Sequence, residues 1–156
     1  SLSVRYPRAV HRAALASLLL ATTARAGTPP LELTPLSKQE LGEAWNCQVK
    51  NAAGETVFSE DTGAPRTFVR NDGRLLAGKQ TQEIAPARRP VAGDTLVRYY
   101  TDGHVTVRFE HTLTFTLSAE AEERWPRGDT MRGTTTANVT VGGHFRELRG
   151  LPRVCR

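Results

Sequence analysis

The chain has 156 residues, with 21 Lys and Arg against 16 Asp and Glu, a formal net charge of +5 and two cysteines. That length supports one domain with a sizeable core. Four of the basic residues (Arg5, Arg8, Arg12 and Arg25) and none of the acidic ones lie in the first 26 positions, so the remainder carries 17 basic against 16 acidic residues. With a near-neutral balance and no basic stripe interleaved with aromatics, nothing here points to a nucleic-acid partner.

Residues 1–26 read as a secretory signal peptide. Arg5, Arg8 and Arg12 form a positive opening, Ala13 to Ala21 an apolar run, and Ala24-Arg25-Ala26 a small-x-small cleavage pattern that leaves Gly27 as the mature start. The run is too short to span a membrane. A mitochondrial transit peptide is the rival reading, and the compact, non-amphipathic apolar run favours secretion over it. The expected destination is periplasmic or secreted, with no integral membrane segment in the mature chain. In such a compartment Cys47 and Cys155 have only each other to pair with. Their bridge would close a loop of roughly 109 residues, worth about 4–5 kcal/mol in the chain-entropy model. It also requires the first and last strands to be close neighbours.

Residues 27–36, with Pro29, Pro30 and Pro35, read as an extended N-terminal segment ahead of a single β domain over 37–156. Ser37 and Glu40 make a capping box and Leu36 and Leu41 a hydrophobic staple, which predicts a short helix from Lys38 to about Ala44. Alternation then predicts strands over Trp45 to Lys50, Glu55 to Ser59, Arg66 to Arg70 and Arg74 to Ala77, with a weaker one over Lys79 to Ile84. Ala85 to Asp94, with Pro86, Pro90, Gly93 and the pair Arg88-Arg89, is the longest irregular stretch.

The strongest strand is Val105 to Leu117. Val105, Val107, Phe109, His111, Leu113, Phe115 and Leu117 take every second position, so all of them share one face. At about 3.3 Å per residue it runs about 43 Å, long enough that it must bend around a barrel or between two layers. Thr95 to Tyr100 should pair with it across Thr101-Asp102-Gly103. A bulged turn with Gly103 left-handed would set Val97 and Tyr99 on the apolar face and Arg98 and Tyr100 on the wet one. Burial favours that register over one that puts Arg98 among apolar side chains. Ser118 caps a second helix, Ala119 to Arg124, ended by Pro126. Thr134 to Val141 and His144 to Leu148 form a last hairpin across Gly142-Gly143, before Val154 and Cys155.

The fold class is therefore mainly β: an antiparallel small barrel or barrel-like sandwich with one or two short helices and one disulfide. No catalytic motif stands out. His111 is the one residue that breaks the apolar face, and no partner for it is identifiable, since Glu110 faces the other way. His104, His111 and His144 lack ligand spacing, so no metal and no cofactor is expected. Arg127-Gly128-Asp129 is a chance tripeptide, and the sequon Asn138-Val139-Thr140 lies inside a strand. These features lead to an expected non-enzymatic binding module, for a small hydrophobic ligand or another envelope or secreted protein. Tyr99, Phe109 and His111 would form its inner wall, and Arg88 and Arg89 would be placed to grip an anionic group. Two alternatives remain: a small hydrolase or metal-dependent enzyme using His111, and an inhibitor or envelope-assembly protein acting through loops such as Ala85 to Asp94.

Overall fold

In a computed structural model, residues 31–41, 46–61, 64–124 and 128–156 are described. The proposed signal peptide, Trp45, Pro126 and Arg127 lie outside them. In chain order the elements are β1 (Leu33–Thr34), α1 (Lys38–Leu41), β2 (Asn46–Lys50), β3 (Thr56–Asp61), β4 (Arg66–Asn71), β5 (Arg74–Ile84), β6 (Thr95–Thr101), β7 (Val105–Thr116), α2 (Ala119–Arg124), β8 (Met131–Val141) and β9 (His144–Cys155). Each strand from β2 to β9 pairs antiparallel with the next, and β9 returns to β2. The result is a closed, eight-stranded up-and-down barrel, with β1 added to the edge of β4. Among the described residues no helix is long and apolar enough to cross a membrane.

Local chemistry explains most elements. The Ser37 hydroxyl accepts from the Glu40 amide (3.3 Å), and the Glu40 carboxylate accepts from the Ser37 amide (2.7 Å), so the capping box starts α1. Arg70 of β4 then ties Glu40 to the barrel wall. The segment ahead of α1 is more than an approach: Leu33 and Thr34 pair with Asn71 and Arg70, and Leu31 and Leu36 are buried. The two strands expected over Arg74–Ala77 and Lys79–Ile84 are one, β5, interrupted by a register shift between Gln80 and Gln82. The last hairpin also runs further than expected. β9 continues to Cys155 through a left-handed Gly150 (φ 65°).

The β6–β7 register differs from the expected one. Tyr100 stands opposite Val107 and Arg98 opposite Phe109. Arg98 and Tyr100 therefore face the lumen, while Val97 and Tyr99 face out. Gly103 is left-handed (φ 87°) as the bulged turn required, but the loop is longer. The Asp102 carboxylate accepts from the amides of His104 and Val105 (both 2.9 Å), and the first strand pair is Thr101 with Thr106. Burial did select the register, but a buried carboxylate made a lumenal arginine acceptable.

The disulfide forms between Cys47 and Cys155, which are register partners on β2 and β9. One end of the lumen is apolar, filled by Val49, Phe58, Val69, Val105, Val107, Phe109, Ala137 and Val139, with Leu31 packed against them. β3 and β7 lie four strands apart around an eight-stranded ring, so they face each other across its diameter. The Phe58 and Phe109 rings meet edge to face with centroids 5.0 Å apart. Two walls in contact leave no open channel at that level, as expected for a barrel of eight strands filled by side chains.

Candidate functional site

The next level along the same two strands is polar. Alternation puts Glu60 two residues after Phe58 and His111 two after Phe109, both on the lumenal face. His111 Nε2 lies 3.2 Å from Glu60 Oε1, which again spans the diameter. The same oxygen accepts from the Tyr100 hydroxyl (3.0 Å) and from Arg98 Nη1 (3.2 Å) on β6. The other oxygen accepts from Arg153 Nε on β9 at 2.9 Å. Arg98 also donates to Glu83 of β5 at 2.7 Å, and His111 Nδ1 is 2.7 Å from the Thr135 hydroxyl of β8. One carboxylate thus gathers side chains from β3, β6, β7 and β9, and Arg98 and His111 extend the network to β5 and β8.

Glu60 and Arg153 are 1% exposed, and His111 is fully buried. Burial alone would raise the Glu60 carboxyl, but the Arg153 guanidinium, the His111 N–H and Arg98 together hold it well below the usual carboxylate range. Burial lowers the imidazole, and this outweighs the pull of Glu60 in the other direction. The ring is therefore neutral. An ionised carboxylate can only accept, so Nε2 carries the proton and Nδ1 accepts from the Thr135 hydroxyl. Burial and the neighbouring carboxylate push the Tyr100 phenol up. Arg153 is incompletely satisfied: among the described residues Nη1 has only the Met131 sulfur, at 3.6 Å, and Nη2 is buried with no hydrogen-bond partner.

This network meets a recess at the surface. β4 begins only at Arg66, opposite Lys79, so no described strand lies between the β5 residues beyond Gln80 and the end of β3. A recess of about 280 Å³ opens there, lined by Glu60, Asp61, Pro65, Gln80, Glu83, Arg98 and Tyr100.

Of the residues singled out from sequence, Phe109 and His111 line the lumen, with their rings stacked at 5.1 Å. Tyr99 does not join them. It lies outside, where its hydroxyl accepts from Arg108 Nε at 3.2 Å and the guanidinium sits 5.8 Å from its ring. Arg88 and Arg89 bond other partners. Arg88 makes two hydrogen bonds to Asp94, at 2.6 and 3.0 Å, which holds that carboxyl down at about 2. Arg89 bonds Glu122 of α2 and the Leu117 carbonyl. The residues that sequence reasoning missed are Glu60, Arg98, Tyr100, Thr135 and Arg153. Arg153 had a usable signal, because it stands two residues before Cys155 and so shares the face of a buried cysteine.

Chemically, this centre holds a charge pair and orients a neutral imidazole. Both ring nitrogens of His111 and both oxygens of Glu60 are occupied by protein groups. No group of three or more His, Cys, Asp or Glu placed to hold a metal ion occurs among the described residues. In comparisons of the chain with protein-family models, with curated proteins and with solved structures, nothing matches.

Proposed function

We propose that the chain is an exported, non-enzymatic binding module. The barrel is its rigid scaffold, and the recess beside Arg98 and Tyr100 is its ligand contact. The observation that carries this reading is the engagement of His111. A general base needs a free lone pair within reach of substrate, and here both nitrogens are used inside a fully buried ring. The cysteines, the other candidate nucleophiles, are joined. Support for export is the disulfide itself, which belongs to oxidising compartments.

A polar ligand suits the recess better than the hydrophobic one expected from the alternation. The apolar level of the lumen is occupied from wall to wall, whereas the recess offers Gln80, Glu83, Arg98 and Tyr100 as donors and acceptors. Amide-resolved NMR titration with a panel of small amines, carboxylates and monosaccharides tests this. Shifts confined to Gln80–Glu83 and Arg98–Tyr100 are expected with one class. Shifts at Val107, Ala137 and Val139 with an apolar dye would place the ligand in the lumen. A turnover that disappears in His111→Gln, with folding unchanged, would replace the binding reading with an enzyme.

A second reading is supported by the Ala85 to Asp94 loop. Its two arginines clamp it to Asp94 and α2, and Val91 is left 48% exposed. A fixed loop presenting an apolar side chain is the form expected of a protein-partner contact.

A further inference from the structure

The seams of the barrel are unequal. The seven hairpin seams carry between four and eleven register pairs, whereas β2 and β9 share three: Cys47 with Cys155, Gln48 with Val154, and Val49 with Arg153. Every other seam joins strands that follow each other in the chain. This one joins residues 108 positions apart, so closing it without a covalent link costs the most loop entropy. Its ends are well anchored elsewhere. The Thr130 amide donates to the Cys155 carbonyl at 2.9 Å, and β9 stays paired with β8 along its length, while β2 stays paired with β3. Gln48 and Val154, its middle pair, line a surface recess of about 150 Å³ with Lys50, Asp129 and Arg156.

We infer that the Cys47–Cys155 disulfide is the latch of this seam, and that its reduction parts β2 from β9 and admits solvent to Glu60 and Arg153 while the other seams stay paired. Among the described residues, two noncovalent fastenings then stand out. One is the three-pair ladder. The other is the Arg153–Glu60 ion pair, which reaches across β2 to β3. The chemistry is thiol–disulfide exchange. A dithiol reductant gives two electrons and two protons, the Sγ–Sγ bond breaks through a mixed disulfide, and the reductant leaves as its own disulfide. Both cysteines are only about 5% exposed, so attack by a thiol waits for the seam to fray. The state of the disulfide thereby controls access to the polar centre.

The test is hydrogen–deuterium exchange read by mass spectrometry on the full chain, oxidised and in dithiothreitol, with Cys47→Ala/Cys155→Ala as the reductant-free counterpart. Exchange in peptides covering 46–50 and 153–155 should rise at least tenfold in both, with peptides over 105–116 and 131–141 within twofold of the oxidised protein. A uniform rise in all strands, or failure of the variant to fold, would show that the disulfide holds the whole fold. No rise at 46–50 and 153–155 would show that the seam holds without it. Either result overturns the inference.

Discussion

Glu60→Gln removes the charge at the centre of the barrel while nearly preserving shape. The amide can present one oxygen, and Oε1 now accepts three donors. If that oxygen keeps its place, the new NH2 group stands where Oε2 was, facing Arg153 Nε donor to donor at the present 2.9 Å. Among the described residues, Arg153 is then left as a buried cation with only the Met131 sulfur and no carboxylate. Breaking a buried ion pair by removing one partner costs about 3–5 kcal/mol. That is a large share of the roughly 5–15 kcal/mol that holds a domain folded. Arg153→Met should cost less, because Glu60 keeps Arg98, Tyr100 and His111. The double variant should be more stable than the sum of the two losses implies, with an interaction energy on the order of 2 kcal/mol. Urea unfolding at pH 7.5, with the same slope for all four proteins, measures this. A Glu60→Gln loss below about 1 kcal/mol, or an Arg153→Met loss larger than it, would refute the reasoning.

Three further outcomes are expected. His111 has a lowered folded pKa, so the unfolded chain takes up its proton first. Stability should be fully present above about pH 6.5 and decline as pH falls below it, by at most about 1.4 kcal/mol per pH unit from this group; Glu60, also lowered, extends the loss below its ordinary range. His111→Gln should flatten the upper part of that decline, and an unchanged pH profile in the variant counts against it. Val107→Asp should cost more than about 4 kcal/mol by burying an unpaired carboxylate, whereas Thr106→Asp, on the exposed face, should cost under about 0.5 kcal/mol; equal losses by chemical denaturation would mean both faces are buried. Gly133→Ala should lose about 1–3 kcal/mol, because its Cβ would meet the Thr112 carbonyl oxygen at 2.3 Å and backbone cannot step aside like a side chain; a neutral melting point would show that the β7–β8 pair can separate there.

The strands of the barrel were readable because burial on one side writes a period of two into the residues. β7 shows it most fully, with Val105, Val107, Phe109, His111 and Leu113 all at most 1% exposed. The disulfide was readable because only one pairing existed. Closure into a barrel was not distinguishable from a sandwich, since both use the same alternation, and only the return of β9 to β2 decides it. The polar centre was hidden for a different reason. Arg98 and Glu60 violate the rule that charges face water, and each is tolerated only because of a residue far away in the chain. The β6 register failed on that point: the apolar pattern of Val97 and Tyr99 matched the β7 face, but Glu60, 38 residues before Arg98, made the opposite choice stable. His111 stands out on the apolar face of β7, yet its partner is 51 residues away, beyond any local reading.

The proposal that the polar centre ties the barrel and does not catalyse rests on the state of one imidazole. Nitrogen-resolved NMR of uniformly 15N-labelled protein from pH 8 to pH 5 measures that state directly for His111. The account predicts a neutral ring with the proton on Nε2 and an unprotonated Nδ1 at pH 7. It also predicts titration below the value of a free histidine, and no change when a small molecule is bound at the recess. An imidazolium at pH 7, a proton on Nδ1, or a ring signal that moves with ligand would contradict it.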